Sequence, residues 1–315
     1  MKQFLSVKDV SSVEEFVLKA LEHKQNPFAN KNLGVNKTIA LLFFNPSLRT
    51  RLSTQKAAQN LGMETMVVNL NSDGWSIELE DGAVMNQGTQ EHIKEAAAVV
   101  SQYADIIGIR TFPSLLNKTE DYQEKVLNQF VRYAQVPVVS LESATLHPLQ
   151  SFADLITIKE HGQKKKPKVV LSWAPHPKAL PQAVSNSFLE WAKLADYDLS
   201  VCNPMGFDLA PEFTEGVKQY HNQEEAFKDA DLIYVKNWSS YQDYGKIGEG
   251  LDHWIINQEK LVNTNNAKVM HCLPVRRNVV IADDVLDSEN SLVIEQANNR
   301  TYSAQTVLAE ILKAL

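Results

Sequence analysis

Short, continuous apolar runs alternate with stretches of helical period along almost the whole chain, and that alternation leaves few folds open. The run Ile39-Ala40-Leu41-Leu42-Phe43-Phe44 is followed by residues 50–62, where Leu52, Ala57, Ala58 and Leu61 recur at helical spacing. Further runs at 66–70, 104–110 and 136–141 are separated by helical patterns at 91–103 and 119–133. Ser11 and Ser12, with Glu14 and Glu15 behind them, predict a first helix reaching about residue 23. After His147-Pro148 a helix is expected to about residue 160, and the alternation then restarts. Strands are expected at 168–173, 199–202, 232–235, 269–272 and 291–294, with a last helix at 303–315. Strands that are apolar throughout and separated by helices belong to parallel sheets covered on both faces. The expected fold is α/β, with two doubly wound parallel-sheet domains of similar size. The first would span 1–147, completed by a C-terminal helix at 301–315, and the second 148–300.

The 315 residues are enough for two hydrophobic cores. Formal net charge is -7 and the one basic block is Lys164-Lys165-Lys166, so a nucleic-acid partner, which needs a basic face, is not expected. No apolar run approaches 18 residues and the first nine residues lack a signal-like apolar core, which points to a cytoplasmic protein without a membrane partner. The two cysteines, Cys202 and Cys272, lack zinc-like spacing and give no reason for a disulfide.

In sheets of this kind ligands sit beyond the carboxyl ends of the strands. Ser47-Leu48-Arg49-Thr50-Arg51 occupies such a position, on a turn from strand into helix. A helix N-terminus carries unpaired N–H groups and a positive dipole end, and hydroxyls and guanidiniums added there suit a phosphate. Simple capping by Ser47 or Thr50 is the plainer alternative. Polar residues also close the other strands: Arg110, Glu142, His176, Lys236 and Cys272, with His147 and Gln150 just beyond Glu142. His147 and Gln150 fall on the first turn of a helix, where an imidazole and an amide suit a planar carbamoyl group, although His147-Pro148 also reads as an ordinary helix start. Cys272 reads equally as a core thiol or as a polar contact at a reacting centre. So many polar strand ends suggest a cleft between the domains.

Taken together, Ser-x-Arg-Thr-Arg, His-Pro-x-Gln-x-x-x-Asp ending at Asp154, and His-Cys-Leu-Pro at 271–274 resemble the transcarbamylase family, over essentially the whole chain and including Asn299-Arg300. The resemblance implies that Ser47, Leu48, Arg49 and Thr50 hold the phosphate of carbamoyl phosphate. Arg110, His147 and Gln150 would grip its carbamoyl end, and Arg300 would complete the cradle. Cys272 and the backbone carbonyl of Leu273 would lie beside the carbonyl carbon. The family is trimeric, and Trp75, in the long polar segment 71–90, looks like the residue that enters a neighbouring subunit's site. A neutral amine would attack the carbamoyl carbon and phosphate would leave, with Arg49, Arg110, Thr50 and His147 stabilising the developing charge. Neither metal nor organic cofactor is implied. Replacing Arg110 with alanine is expected to abolish transfer in a folded protein.

Cys272 points to the ornithine branch, yet the Asp-x-x-x-Ser-Met-Gly loop by which that branch holds a free α-amino group is missing. Val235-Lys236-Asn237-Trp238-Ser239-Ser240-Tyr241 stands there instead. The site therefore resembles the N-acylornithine subgroup, with Lys236 and Arg276 pairing with carboxylates and Glu142 and His176 placing the substrate. Acetyl enzymes of the subgroup set a Glu at the position of Gln90, and succinyl enzymes a Pro. A neutral amide would not repel the additional carboxylate of a succinyl tail, which favours N-succinylornithine over N-acetylornithine. The subgroup also threads its chain, so a knot is expected in the second domain near Lys178-Ala179-Leu180-Pro181-Gln182.

Two other classes would share parts of this pattern. A nicotinamide dehydrogenase would need Gly-x-Gly-x-x-Gly after a strand, and neither the turn after Phe44 nor that after Trp173 has it. A non-catalytic phosphate or amino-acid binder would keep the anion site but would release no phosphate from carbamoyl phosphate and an amine.

Overall fold

In the computed structural model, which describes residues 1–162 and 164–315, the first apolar run forms β1 (Thr38–Phe43). Five of its six residues are buried, as expected for a strand covered on both faces. It pairs in parallel with β2 (Glu64–Asn69) on one side and β5 (Ile106–Arg110) on the other, and β6 (Val138–Glu142) completes the order β2-β1-β5-β6. The register sets Phe43 against Arg110 and Arg110 against Glu142, so the polar ends of neighbouring strands stand side by side. Gly108 allows this close spacing: a Cβ there would come within 2.9 Å of the Leu41 side chain. Ala40, Leu42, Ile107, Ile109 and Phe130 pack into one core on this sheet.

The chain forms two compact units: Met1–Ser114 with Thr119–Leu149 and Arg300–Leu315, and Leu115–Lys118 with Gln150–Asn299. The second has a parallel sheet of its own, order β11-β10-β7-β8-β9, from β7 (Lys168–Trp173), β8 (Asp198–Cys202), β9 (Lys218–Tyr220), β10 (Leu232–Lys236) and β11 (Lys268–Met270). Lys236 closes β10, and Cys272 lies two residues past β11. The segment 178–182 is tied to the stretch after β10, where Ser239 N–H donates to the Leu180 carbonyl at 3.0 Å and Gln182 Nε2 to the Ser239 carbonyl at 2.8 Å. Among the described residues no helix is long and apolar enough to cross a membrane.

Several local expectations need correction. The segment 71–90 is not a plain loop: β3 (Ile77–Glu78) and β4 (Glu91–His92) close it as a small parallel ribbon. The helix expected at 119–133 is two, Lys118–Tyr122 and Lys125–Tyr133, separated by Glu124 in left-handed backbone with φ 49°. No strand spans 291–294. Ser291 makes one isolated bridge to Val269, and a single helix runs Val293–Leu312, so the last helix starts ten residues before the expected Ser303. The buried face of that helix is largely polar, with Gln296, Asn299, Ser303 and Thr306 all at 0 % exposure, so apolar periodicity does not reveal its first half. The edge strand β9, Lys218-Gln219-Tyr220, lacks an apolar run because two of its three residues are exposed.

His23 shows how polar burial is satisfied in the first unit. Thr306 Oγ1 donates to the Tyr302 carbonyl at 2.8 Å and so accepts from His23 Nδ1 at 3.1 Å, while Asn30 Nδ2 donates to His23 Nε2 at 3.2 Å. That pattern fits only a neutral imidazole, and a second ring proton would face the Asn30 amide protons. Burial, with Lys313 adding to it, lowers the His23 pKa below its ordinary 6.5. The unfolded chain therefore takes up this proton first as pH falls, and stability is lost below pH 6.5 down to the lowered folded value. A His23→Asn variant should lose part of the fall in Tm between pH 7.5 and 5.5 that the parent shows in thermal melts. An unchanged pH dependence would contradict this role for His23.

Candidate active site

The turn after β1 is a capped helix start. Ser47 has extended backbone (φ −153°, ψ 122°) and accepts from Thr50 N–H at 3.4 Å, opening the helix Leu48–Asn60. Thr50 is buried, and its hydroxyl accepts from Arg300 Nη2 at 2.5 Å, so residues 250 positions apart share this turn. Arg49 is half-buried and Leu48 exposed on the first turn. Arg51 serves the scaffold instead: it donates to Asn69 Oδ1 at 2.5 Å and lies over the Phe43 ring. Capping and anion binding are thus not alternatives here. Ser47 caps one N–H, and the rest of the turn keeps the positive end of a thirteen-residue helix.

Beside this turn a buried triad is assembled from adjacent strand ends. Arg110 donates Nε to Glu142 Oε2 at 3.1 Å, with Nη2 2.9 Å from the same oxygen as an ion pair, and Nη1 to the carbonyls of Asn45 and Pro46, at 2.9 and 2.8 Å. Its guanidinium also lies 4.1 Å from the centre of the Phe112 ring. These contacts fix the planar fork of the guanidinium. His147, immediately before the helix Pro148–His161, has Nε2 3.6 Å from the same Glu142 oxygen. Glu142 therefore holds Arg110, and the His147 ring lies close to the same carboxylate oxygen. The triad also qualifies the expected behaviour of Arg110→Ala, because removing one partner of a buried ion pair costs about 3–5 kcal/mol. That substitution would lower stability as well as remove a contact.

A residue that the sequence reading missed supports this group. Glu124 accepts from Ser143 Oγ, Ala144 N–H, Thr145 N–H and Thr145 Oγ1, at 2.5–3.0 Å, and so fixes the loop between Glu142 and His147. A lone Glu within a helical pattern reads as a solvated side chain, so no sequence signal marks it. The ribbon β3–β4 brings two other candidates together. Gln90 N–H donates to the Ser76 carbonyl at 3.0 Å, next to Trp75, whose indole N–H donates to Glu91 Oε2 at 2.7 Å. Gln90 and Trp75 are both exposed, Trp75 by 53 %.

In the second unit Lys236 is buried at the end of β10, and the residues after it are committed to the scaffold. Asn237 Nδ2 donates to the Ala174 carbonyl at 2.7 Å, and the indole of Trp238 to the Phe207 carbonyl at 2.7 Å. Arg276 Nε donates to His176 Nε2 at 3.2 Å, which places the ring proton on Nδ1, facing the Lys178 carbonyl at 2.9 Å. Burial lowers the His176 pKa, and the charges of Lys236 and Arg276 add to that, so the ring is neutral at pH 7. His176 and Arg276 line a cavity of about 660 Å³ with Gly248, Glu249, Asp252 and Arg277, a size suited to a small ligand. The wall at 247–252 was not legible in the sequence. Leu273 has left-handed backbone (φ 57°), an uncommon state for a branched residue that concentrates at functional sites, and its peptide to Pro274 is cis. Gln150 and Cys272 are buried in this unit.

Comparison with known proteins gives this chemistry a family. Residues 2–160 match the model of the aspartate/ornithine carbamoyltransferase carbamoyl-P binding domain, and residues 181–311 that of the Asp/Orn binding domain. The chain is 48% identical to an N-succinylornithine carbamoyltransferase of Bacteroides thetaiotaomicron, with 100% of both chains covered. It is 36% identical to an N-acetylornithine carbamoyltransferase of Xylella fastidiosa, over 99% of this chain and 98% of that one. A crystal structure of an N-acetyl-L-ornithine transcarbamylase variant with one glutamate changed to alanine, complexed with carbamyl phosphate and N-succinyl-L-norvaline, superposes with a TM-score of 0.93 at 33% identity, covering 99% of this chain and 100% of that one. With a strand-end arginine held by glutamate, a capped helix start after β1 and these relatives, the chain belongs to the aspartate/ornithine carbamoyltransferase family and is a carbamoyltransferase.

Proposed function

We propose that this enzyme transfers the carbamoyl group of carbamoyl phosphate to the side-chain amine of N-succinyl-L-ornithine, giving N-succinyl-L-citrulline and phosphate, as a cytoplasmic step of arginine biosynthesis. Residues 1–147 with 301–315 act as the carbamoyl phosphate-binding domain, and 148–300 as the acylornithine-binding domain. Ser47, Leu48, Arg49, Thr50 and Arg300 hold the phosphate, and Arg110, His147 and Gln150 grip the carbamoyl group beside Cys272 and the Leu273 carbonyl. The neutral amine forms the new C–N bond as the C–O bond to phosphate breaks, and the amine's proton leaves with the phosphate. Donors fixed before reaction stabilise the developing oxyanion without reorganising, usually the largest catalytic term. The observation that carries this reading is the Arg110–Glu142–His147 triad, whose fork is already held in place.

The acyl reading rests on the segment 235–241, which has no acidic side chain to hold a free α-amino group and whose Asn237 and Trp238 are tied into the scaffold. Lys236, His176 and Arg276 offer two cations and a neutral imidazole to carboxylates, with Glu142 and Gln90 completing the acylornithine contacts. The higher identity to the N-succinylornithine relative supports succinyl over acetyl. In this reading the enzyme is a homotrimer whose Trp75–Gln90 ribbon enters a neighbouring site.

Product formation from carbamoyl phosphate with ornithine, N-acetylornithine and N-succinylornithine in parallel tests the substrate. Turnover confined to the succinyl compound is expected, and preference for free ornithine would contradict the acyl reading. A second pair of variants tests the anion turn. Arg49→Ala should lower kcat/KM by roughly 10²–10³, the usual loss for one preorganised donor. Arg51→Ala, whose parent side chain pairs with Asn69, should stay within a few-fold of the parent in steady-state assays. Equal effects at both positions would overturn the assignment.

A further inference from the structure

Asp154 closes the His-Pro-x-Gln-x-x-x-Asp motif and takes no part in the transfer described above. It is 0 % exposed, one turn beyond Gln150 on the same helix. Its Oδ1 accepts from Gln150 Nε2 and from Gln296 Nε2, both at 2.7 Å. Gln296 Oε1 in turn accepts His271 N–H at 2.9 Å, and His271 Nδ1 accepts Leu273 N–H at 2.9 Å. The fully buried Tyr234 phenol faces both the Asp154 carboxyl and the Cys272 side chain, and burial above all keeps it protonated. One buried carboxyl therefore joins Gln150 to the stretch that carries Cys272 and Leu273.

A side-chain amide has a donor end and an acceptor end, and only its partners decide which way it points. With Oε1 in place of Nε2, Gln150 would set an acceptor against an acceptor at 2.7 Å. Asp154 thus fixes which end of the amide is nitrogen, and with it the side on which Oε1 lies. A carbamoyl NH₂ needs an acceptor there. The same oxygen fixes Gln296, whose carbonyl end is thereby directed at the His271 backbone.

We propose that Asp154 is a positioning residue for carbamoyl transfer: it orients Gln150 toward the carbamoyl NH₂ and, through Gln296, fixes the backbone of His271–Leu273. The inference rests on Gln150 touching the carbamoyl group, as proposed above. Small misplacements of contacting groups cost on the order of 10²-fold in rate, so Asp154→Ala should lower kcat about 100-fold. The deciding measurement is a double-mutant cycle with Gln150→Ala, using kcat/KM for carbamoyl phosphate on variants whose circular dichroism matches the parent. In the Gln150→Ala background the Asp154→Ala loss should shrink at least tenfold. Additive losses would show that Asp154 does not act through Gln150 and would overturn the inference. A harmless Gln150→Ala would instead remove the assignment of Gln150 to the carbamoyl group. Should Asp154→Ala fail to fold, Gln150→Glu decides: it sets two carboxyls together and should lose about 100-fold. Adding Asp154→Asn, which supplies a donor to Glu and keeps an acceptor for Gln296, should restore at least tenfold. No restoration would overturn the inference.

Discussion

The ion pair between Arg110 and Glu142 is the interaction on which the candidate site depends. Both residues end neighbouring strands, and both are less than 10 % exposed. Desolvating two charges costs several kcal/mol, and their attraction recovers this only when geometry is good and the remaining protons are satisfied. Here the Asn45 and Pro46 carbonyls and the Phe112 ring supply that satisfaction, so the guanidinium is held on three sides before any ligand arrives. Such a group need not reorganise when charge develops in front of it, which is the physical basis of catalysis by preorganised dipoles. Glu124, by fixing the loop 143–145, extends the same rigidity to His147.

The second unit repeats the principle around a single buried carboxyl. Asp154, Gln150, Gln296 and the His271 backbone form a chain of hydrogen bonds whose polarity is set at one buried carboxyl. Nearby, His176 is kept neutral between Arg276 and a backbone carbonyl. A neutral imidazole between cations suits an anionic ligand better than a third positive charge crowded beside them, since it leaves their Coulomb attraction undivided without adding to their mutual repulsion.

Much of this was legible in the sequence, for identifiable reasons. Buried parallel strands are largely apolar, so β1, β5, β6, β7, β8, β10 and β11 stand out as short apolar runs. Strand ends bearing Arg110, Glu142 and Lys236 stand out because charge interrupts those runs. The first half of the helix Val293–Leu312 stayed hidden because its buried face is amide and hydroxyl rather than aliphatic. Glu124 stayed hidden because its role comes from bonds to residues some 20 positions away, and local pattern carries no trace of them. Asp154 was visible as part of a motif. Its work as an acceptor for two amides needed coordinates, since Gln296 lies 142 residues away.

A crystal structure of the enzyme with carbamoyl phosphate and N-succinyl-L-norvaline, a substrate analogue lacking the attacking amine, tests the account most directly. Density is predicted for phosphate at the Ser47–Thr50 turn and Arg300, for the carbamoyl group at Arg110, His147 and Gln150, and for the succinyl and α-carboxylates near Lys236, His176 and Arg276. Phosphate bound away from the turn after β1, or a carbamoyl group that meets neither Arg110 nor Gln150, would contradict it.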